Sequence, residues 1–254
     1  MPDGAFRMEE PNSPPGPPRK YRSRELRRFP VARAWMWYAE AMRLWKRGPA
    51  TFAAIAFAVL VMSIVFEPIR YASFIAANVI APLLATGLLY ASLAADRGDR
   101  PRLAHLIAIV AARQPAQLAV LAAGWVIFAA EAYTAWSVAG LNLFLPLPDA
   151  SALSAPALIA IYSAGVVVSL PVTFVPLIAL FDDGSLTQAF EESARAFASN
   201  VGAMALYGAL SAALIFVGLA TMGVGLVLAL PWIASASYAA WKDIFGYARD
   251  APLP

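Results

Sequence analysis

The sequence predicts an all-α integral membrane protein with six transmembrane helices, arranged as three hairpins that each follow an amphipathic interfacial helix. Of its 254 residues, 61% are hydrophobic and only 14% are charged, whereas soluble domains are about 45–50% apolar and about 25% charged. The mean hydropathy is +0.64. Six segments are predominantly apolar over about 20 residues, which is the length that crosses a hydrocarbon core.

Residues 1–30 are predicted to be a disordered, Pro-rich and basic cytoplasmic tail, because they contain seven prolines and almost no aliphatic side chains. The tail lacks the apolar core of a signal peptide. It ends in a basic cluster, which we expect to contact anionic lipid headgroups, at about 1 kcal/mol per cation, rather than nucleic acid. The cluster comprises Arg19, Lys20, Arg22, Arg24, Arg27 and Arg28.

Residues 31–246 are predicted to form the six-helix membrane domain, followed by a short C-terminal tail at 247–254. Within the domain, three hairpin units are expected at about 31–95, 101–181 and 185–241. The predicted spans are 50–68, 71–95, 117–138, 155–181, 201–220 and 222–241.

A short helix is predicted before each hairpin. In residues 31–47, helical periodicity gathers Trp35, Trp37, Tyr38, Met42, Leu44 and Trp45 on one side. Trp37 and Trp45 are expected at the headgroup level of the membrane. The segment 102–113 is too short to span and suits the interface. Residues 185–199 are amphipathic, and Ser185 with Gln188 forms the pattern of a capping box.

The three units share three features, which suggests a threefold repeat. Each has a short helix before its hairpin, an acidic residue near a glycine at the end of its second span, and proline within that span. The prolines are Pro82, Pro171, Pro176 and Pro231. They could break helices to expose backbone groups to a solute, although proline is also common in transmembrane helices. Any chain of hairpins with capped interfacial helices would produce a similar pattern.

The distribution of cations predicts the orientation. Eighteen of the nineteen Lys and Arg residues lie on the side of the two termini, and only Arg70 lies on the other. Because cytoplasmic segments retain positive charge, both termini of this multi-pass protein are expected in the cytoplasm.

Three ionisable residues are the intramembrane polar candidates: Glu67, Arg70 and Glu131. The predicted topology puts them near one level on the non-cytoplasmic side. They could neutralise one another as a structural ion pair or line a water-exposed rim. Alternatively, they could relay a proton or substrate, because charges are costly inside a bilayer.

The parts needed for most catalytic chemistry are missing from the sequence. It has no cysteine and a single histidine, His105, so we expect no metal site and no cofactor. No phosphate-binding loop, nucleophile elbow or zinc-protease motif occurs. Asp182 and Asp183 lie far from Ala194-Arg195, and no second acidic pair follows, so the two-metal motif of membrane phosphotransferases is not matched. We therefore do not expect an enzyme.

Four motifs resemble a family of uncharacterised bacterial, mainly proteobacterial, inner-membrane proteins, over about residues 31–246. They are a Trp-rich entry (Ala34-Trp35-Met36-Trp37 through Arg43-Leu44-Trp45-Lys46-Arg47-Gly48-Pro49), a second-span signature (Ala81-Pro82-Leu83-Leu84 to Gly87, then Arg97-Gly98), a third-helix pattern (Ala189, Ser193, Asn200) and a closing motif (Tyr238-Ala239-Ala240-Trp241-Lys242-Asp243-Ile244-Phe245). Ala41 and Met42 depart from the family, which prefers glycine and an aromatic residue there.

The architecture also resembles the membrane domain attached to some bacterial glycerophosphoryl diester phosphodiesterases. The resemblance implies a multispanning inner-membrane protein and brings no established activity. The amphipathic interfacial helices and the lack of catalytic motifs lead us to expect a scaffold or accessory protein. Its expected partners are membrane lipids with anionic headgroups and either another membrane protein or further copies of this chain. A small-solute or lipid transporter that uses Glu131 is the alternative.

Overall fold

The computed structural model describes residues 26–66, 69–144, 154–182 and 185–247. Helices are the only regular secondary structure in these ranges, as the sequence predicts. The α-helices are α1 (Arg33–Trp45), α2 (Pro49–Val65), α3 (Arg70–Ile75), α4 (Ala81–Arg97), α5 (Gln114–Ala139), α6 (Ala155–Val172), α7 (Val175–Phe181), α8 (Leu186–Ser199), α9 (Val201–Ala220) and α10 (Leu226–Phe245). A π-helical turn (Ala76–Ile80) joins α3 to α4, and a 3-10 helix (Leu103–Ala111) precedes α5.

Four helical stretches in the described residues are long and apolar enough to cross a membrane. A fifth is possible if α1 and most of α2, which meet at a bend of 103°, count as one span. The remaining long helices fit less well: α2 has 17 residues, and α10 carries Lys242 and Asp243 in its last turns. The four stretches are Ala72–Arg97, Gln114–Ala139, Ala155–Phe181 and Val201–Ala220.

The order of elements repeats a short helix followed by two long helical stretches. It runs α1, α2 and α3–α4, then the 3-10 helix, α5 and α6–α7, then α8, α9 and α10. The middle short element is a 3-10 helix that lies directly on α4. A Cβ at Gly87 would come within 2.8 Å of the Leu106 Cα, so only glycine allows this approach. The Gln117 side-chain amide donates to the Ile109 carbonyl at the end of the 3-10 helix (3.0 Å).

Two boundaries differ from the sequence prediction. The last long helix begins at Leu226 rather than at residue 222, because residues 221–225 form turns in which Met222 and Gly223 have positive φ. The fourth predicted span is divided into α6 and α7 at Thr173 and Phe174. Pro171 and Pro176 flank this break, and proline cannot donate a helical backbone hydrogen bond.

Helix α10 lies at the centre of the bundle and packs against α1, α2, α4 and α9. Small side chains bring α10 and α4 close together, and Ser92 and Ser235 share a buried hydrogen bond of 2.9 Å. Because lipid is as apolar as leucine, such contacts and interhelical hydrogen bonds provide much of the stability of membrane helices. The largest fully buried side chains include Trp37, Trp241, Phe52 and Phe174.

The folded domain begins earlier than predicted. Residues 26–30 were expected in the disordered tail, but Asn200 holds their backbone. The Phe29 amide donates to Asn200 Oδ1 (2.8 Å), Asn200 Nδ2 donates to the Arg27 carbonyl (3.0 Å), and the Arg27 amide donates to the Ile244 carbonyl (2.9 Å). At the other terminus, Tyr247 stacks on Trp241 with ring centroids 4.1 Å apart. The rest of both predicted tails, 1–25 and 248–254, lies outside the described residues.

Candidate functional site

Helix α1 lies against the C-terminal half of α10 and positions most of the candidate site. Its buried residues are Ala34, Trp37, Tyr38, Ala41 and Leu44, whose spacing of three or four residues makes one helical face. The sequence grouped Trp35 with Trp37, but the two side chains point in different directions. Trp37 is 1% exposed, whereas Trp35 is 58% exposed and Met36 is 57% exposed.

Six charged residues meet where α1, α4 and α10 come together, and we call them the charged cluster. Arg33 donates through Nε to Asp243 Oδ2 (2.8 Å), and Arg43 Nη2 lies 3.3 Å from Asp96 Oδ1. Lys242 also pairs with Asp96, and Arg43 pairs with Glu40. The cluster comprises Arg33, Glu40, Arg43, Asp96, Lys242 and Asp243.

Two neutral side chains donate further hydrogen bonds to the aspartates. Trp37 Nε1 donates to Asp243 Oδ2 (2.8 Å), and the Tyr238 hydroxyl donates to Asp96 Oδ2 (3.2 Å). The Asp96 side chain is only 5% exposed. A buried carboxylate is tolerated only when it is paired and hydrogen-bonded, so these contacts explain how Asp96 is accommodated.

The carboxylates in turn favour the charged form of the arginines. The hydrogen bond to Asp243 raises the pKa of Arg33, and the hydrogen bond to Glu40 raises the pKa of Arg43. In both cases burial opposes the shift. With three cations and three anions, the cluster has a formal net charge of zero. Its ion pairs join α1, α4 and α10. Because its charges balance, the cluster adds no net charge to this surface of the protein.

A cavity of about 160 Å³ opens between α1 and α10 beside the cluster. Its walls include Arg33, Glu40, Lys242 and Asp243, together with Trp37 and Met36. Charged groups of both signs therefore face an open space with an indole and a thioether on its walls. This arrangement can bind a small polar group at its charged wall and apolar atoms at its rim.

A second polar contact joins α1 to α9 and α10. The Tyr38 hydroxyl shares a 2.7 Å hydrogen bond with Ser211 Oγ and donates to the Tyr207 carbonyl (3.3 Å). Trp232 Nε1 donates to the Tyr38 carbonyl (3.0 Å). Burial raises the pKa of Tyr38, so its hydroxyl stays protonated and available for these hydrogen bonds.

The proline break between α6 and α7 is closed by Ser193 from α8. The Ser193 hydroxyl accepts from the Phe174 amide (3.1 Å) and donates to the Pro171 carbonyl (2.7 Å). The sequence left open whether such prolines expose backbone groups to a solute. At this break, the Phe174 amide and the Pro171 carbonyl are already hydrogen-bonded to Ser193, so neither group is left to bind a solute.

Glu131 is placed differently from the acids of the charged cluster. It lies in α5 against α6, where a Cβ added at Gly165 would come within 2.2 Å of Glu131 Oε1. The absence of a side chain at Gly165 therefore makes the space for this carboxyl group. Among the described residues, no hydrogen bond or salt bridge to Glu131 is formed, although the Tyr162 hydroxyl is close enough to interact with it electrostatically.

Several predicted site residues fall outside the described part of the chain. These are Glu67, Arg19, Lys20, Arg22 and Arg24, together with the side chain of Arg70, whose backbone begins α3. The proposed meeting of Glu67, Arg70 and Glu131 therefore stays a prediction.

The other four predicted lipid-contact residues lie in the described part. Arg27 and Arg28 are exposed. Trp45 is half-buried and packs against the core. Trp37 was expected at the headgroups, but it is buried inside the protein, because its indole packs on α10 and satisfies Asp243.

Sequence reasoning missed the roles of Asp96, Asp243 and Asn200. The two aspartates were noted only as helix-end residues beside glycine. The available signal was their position near the end of a span, together with Arg33, Arg43 and Lys242 at similar depth. Within the described ranges, no group of three His, Asp or Glu residues could hold a metal ion.

No family model, curated protein or solved structure matches this chain. The family resemblance noted from the sequence therefore stays an expectation.

Proposed function

We propose that this chain is a multi-pass protein of a bacterial inner membrane that acts as a scaffold or accessory protein. In this proposal, six helices cross the membrane as three hairpins and both termini lie in the cytoplasm. Its partners are anionic lipids and either another membrane protein or further copies of the chain. The threefold repetition of one short and two long helical stretches supports the arrangement.

The lengths of the two less certain spans are compatible with six crossings. At about 1.5 Å per residue, α10 is about 30 Å long and α2 is about 26 Å long, against a hydrocarbon core of about 30 Å. A small mismatch is accommodated by local thinning of the bilayer or by flanking residues that reach the interface. Lys242 and Asp243 lie at the end of α10 where the cytoplasmic headgroups are proposed.

The observation that carries the scaffold proposal is that each short helix packs one face on the bundle and leaves apolar side chains outside. Trp35 and Met36 are exposed on α1, and Leu186 is partly exposed on α8. On the 3-10 helix, Leu103, Ile107 and Val110 are each at least 60% exposed. Contiguous exposed apolar surface marks a lipid or protein contact. The ion pairs of the charged cluster, in contrast, join helices of the bundle.

The first experiment extracts the protein with its native lipids and measures co-purifying molecules by mass spectrometry. A protein companion or self-association at fixed stoichiometry supports the scaffold. A single enriched solute without any protein companion contradicts it and favours transport.

The tail is tested separately by binding to vesicles with anionic lipid. The variant replaces Arg19, Lys20, Arg22 and Arg24 by Gln. Arg27 is retained because its backbone is hydrogen-bonded to Ile244 and Asn200 in the folded domain. We expect weaker binding, at about 1 kcal/mol per cation. A comparison variant replaces Arg97, Arg100, Arg102 and Arg113 by Gln, which removes the same charge at the second short helix. A smaller loss of binding than in the tail variant assigns the attraction to the tail. Equal binding of the tail variant and the unmodified protein would exclude a lipid role for the tail.

One observation favours the transporter alternative. Glu131 is a carboxyl group in a membrane-length helix, and the described residues supply no hydrogen bond or cation to it. Intramembrane carboxyl groups of this kind mark ion and proton pathways in many transporters. Replacement of Glu131 by Gln should abolish proton-coupled transport in reconstituted vesicles, and unimpaired uptake by the variant would exclude the relay.

A further inference from the structure

We propose that the cavity between α1 and α10 binds the phosphoethanolamine group of a zwitterionic phospholipid. The inference rests on the proposed placement of the charged cluster at the cytoplasmic interface of a membrane. It adds a ligand class to that surface and does not depend on the basic tail.

The first argument is the supply of unused hydrogen-bond donors. Arg33 donates only through Nε within the described chain, so its two Nη nitrogens have no protein acceptor there. Lys242 has three N–H donors and uses them only for Asp96 among the described acceptors. Both side chains line the cavity. Guanidinium and ammonium groups bind phosphate oxygens through charge-assisted hydrogen bonds.

The second argument is charge balance. The cavity wall carries two cations, Arg33 and Lys242, and two anions, Glu40 and Asp243, and the whole cluster is neutral. An anionic ligand would leave one uncompensated negative charge in this partly buried place, whereas a zwitterion leaves none. Asp243 Oδ1 accepts no hydrogen bond from the described residues. It can therefore accept a hydrogen bond from a primary ammonium group, which a quaternary choline cannot donate.

The third argument is size and setting. The cavity volume of about 160 Å³ lies below the roughly 300–1,000 Å³ of pockets for drug-sized ligands, so the cavity holds a headgroup and not a whole lipid. Met36 lies on the cavity wall and is largely exposed. Its thioether side chain offers apolar contact to the glycerol and upper acyl carbons.

The test is native mass spectrometry of the full chain in detergent. The protein is mixed with equal amounts of phosphatidylethanolamine, phosphatidylcholine and phosphatidylglycerol that carry identical acyl chains. We expect one phosphatidylethanolamine to be retained about tenfold more than either other lipid, because each rejected lipid loses one charge-assisted hydrogen bond or gains an unpaired charge. Equal retention of the three lipids, or preference for phosphatidylglycerol, overturns the proposal.

Two variants assign the binding to Arg33. Arg33→Gln removes the charge and the donors, and Arg33→Lys keeps the ion pair with Asp243 but removes the two unused Nη nitrogens. Arg33→Gln should lose the selective retention, and Arg33→Lys should weaken it, because lysine offers one nitrogen donor where arginine offers three. Arg33→Lys covers the case in which Arg33→Gln does not fold. Arg100→Gln is the matched control, because Arg100 is an exposed arginine outside the cavity and outside the basic tail. Undiminished selective retention by either folded Arg33 variant overturns the assignment.

A final experiment distinguishes the two possible sources of the phosphoethanolamine group, which are a membrane lipid and a soluble compound. Free phosphoethanolamine, which lacks acyl chains, is added in the same detergent while thermal unfolding is followed. If it stabilises the protein and no lipid is retained, the ligand is a soluble phosphoethanolamine compound. If only the lipid binds, the source is the membrane. Binding of neither overturns the proposal. A failed vesicle assay with the tail variant would leave all of these results unchanged, so the two proposals fail separately.

Discussion

The two ends of the helix bundle treat acidic side chains in opposite ways. At the charged end, where α4 and α10 end, Asp96 and Asp243 are each paired with a cation and a neutral donor from another helix. At the far end, where α5 ends, Glu131 fits against a glycine and no described residue bonds to it. The same chemical group is thus a link between helices at one end and an isolated group at the other.

Among the described side chains of the far end, aromatic packing joins the helices. Phe74 of α3 meets Phe128 of α5 with ring centroids 5.6 Å apart, and Phe128 meets Phe144 at 5.2 Å. On the outside of α5, Tyr133 and Trp136 are exposed. The contrast teaches that charged pairs join helices where their outer atoms can reach water or headgroups. Shape and dispersion do this work where the surroundings are more apolar.

The largest expected decrease in the free energy of unfolding follows replacement of Asp96. Asp96→Ala leaves Lys242 and Arg43 without a shared, buried counter-charge, and removal of one partner of a buried pair costs about 3–5 kcal/mol. The free energy of unfolding in mixed micelles measures the loss. Asp99→Ala is the control, because Asp99 is exposed in the adjacent loop. Similar small effects for both variants would show that the charged cluster does not hold the helices together.

The next effect is steric and lies at the far end. Gly165→Ala places a Cβ where the Glu131 carboxyl group lies, and overpacking of this kind costs about 1–3 kcal/mol. Adding Glu131→Ala to the same chain should restore the stability, because it empties the space. Gly124→Ala on α5 is the matched control, since its Cβ meets Pro82 only at 3.7 Å. The absence of rescue in the double variant would contradict the packing between Glu131 and Gly165.

A smaller effect is expected when the charge of Glu131 is removed without a change of shape. Glu131→Gln should alter the free energy of unfolding by less than about 1 kcal/mol, because the variant breaks no described ion pair. The measurement uses the same micelles as for Asp96. A loss as large as that of Asp96→Ala would show that Glu131 has a cation partner outside the described side chains, such as Arg70, and the contrast between the two ends would then disappear.

The smallest effect concerns pH at the charged end. Burial first, and then the charge of Arg102, lowers the pKa of His105 below its ordinary value of about 6.5. In the window between the lowered and the ordinary pKa, the unfolded chain binds more protons than the folded chain. Stability therefore falls as the pH is lowered through that window.

The unfolding midpoint at about pH 7.5 and at about pH 5.5 measures this dependence. His105→Gln should lessen the decrease, because glutamine does not titrate and its carbonyl can still accept from the Arg102 amide, as His105 Nδ1 does at 3.2 Å. An unchanged or larger decrease in the variant would assign the pH dependence to other groups.

Local patterns allowed much of the fold to be predicted. The helix from Val201 to Ala220 has the predicted ends, and the capping box of Ser185 and Gln188 is confirmed, with hydrogen bonds of 2.9 and 3.4 Å. These features depend on residues a few positions apart. The candidate site could not be predicted in the same way, because Arg33 and Asp243 are 210 positions apart and only packing brings them together.

The sequence by itself determined the apolar helical class of the described chain and some helix ends, such as those of α8 and α9, since these follow from composition, periodicity and capping over short distances. The tertiary structure alone decided that Trp37 points inward while Trp35 points outward. It also paired Asp96 and Asp243 with cations and used Ser193 to close the proline break. The physical reason is that the neighbours of a buried polar group decide whether it stabilises or destabilises the fold. In this chain, those neighbours come from helices that are distant in sequence.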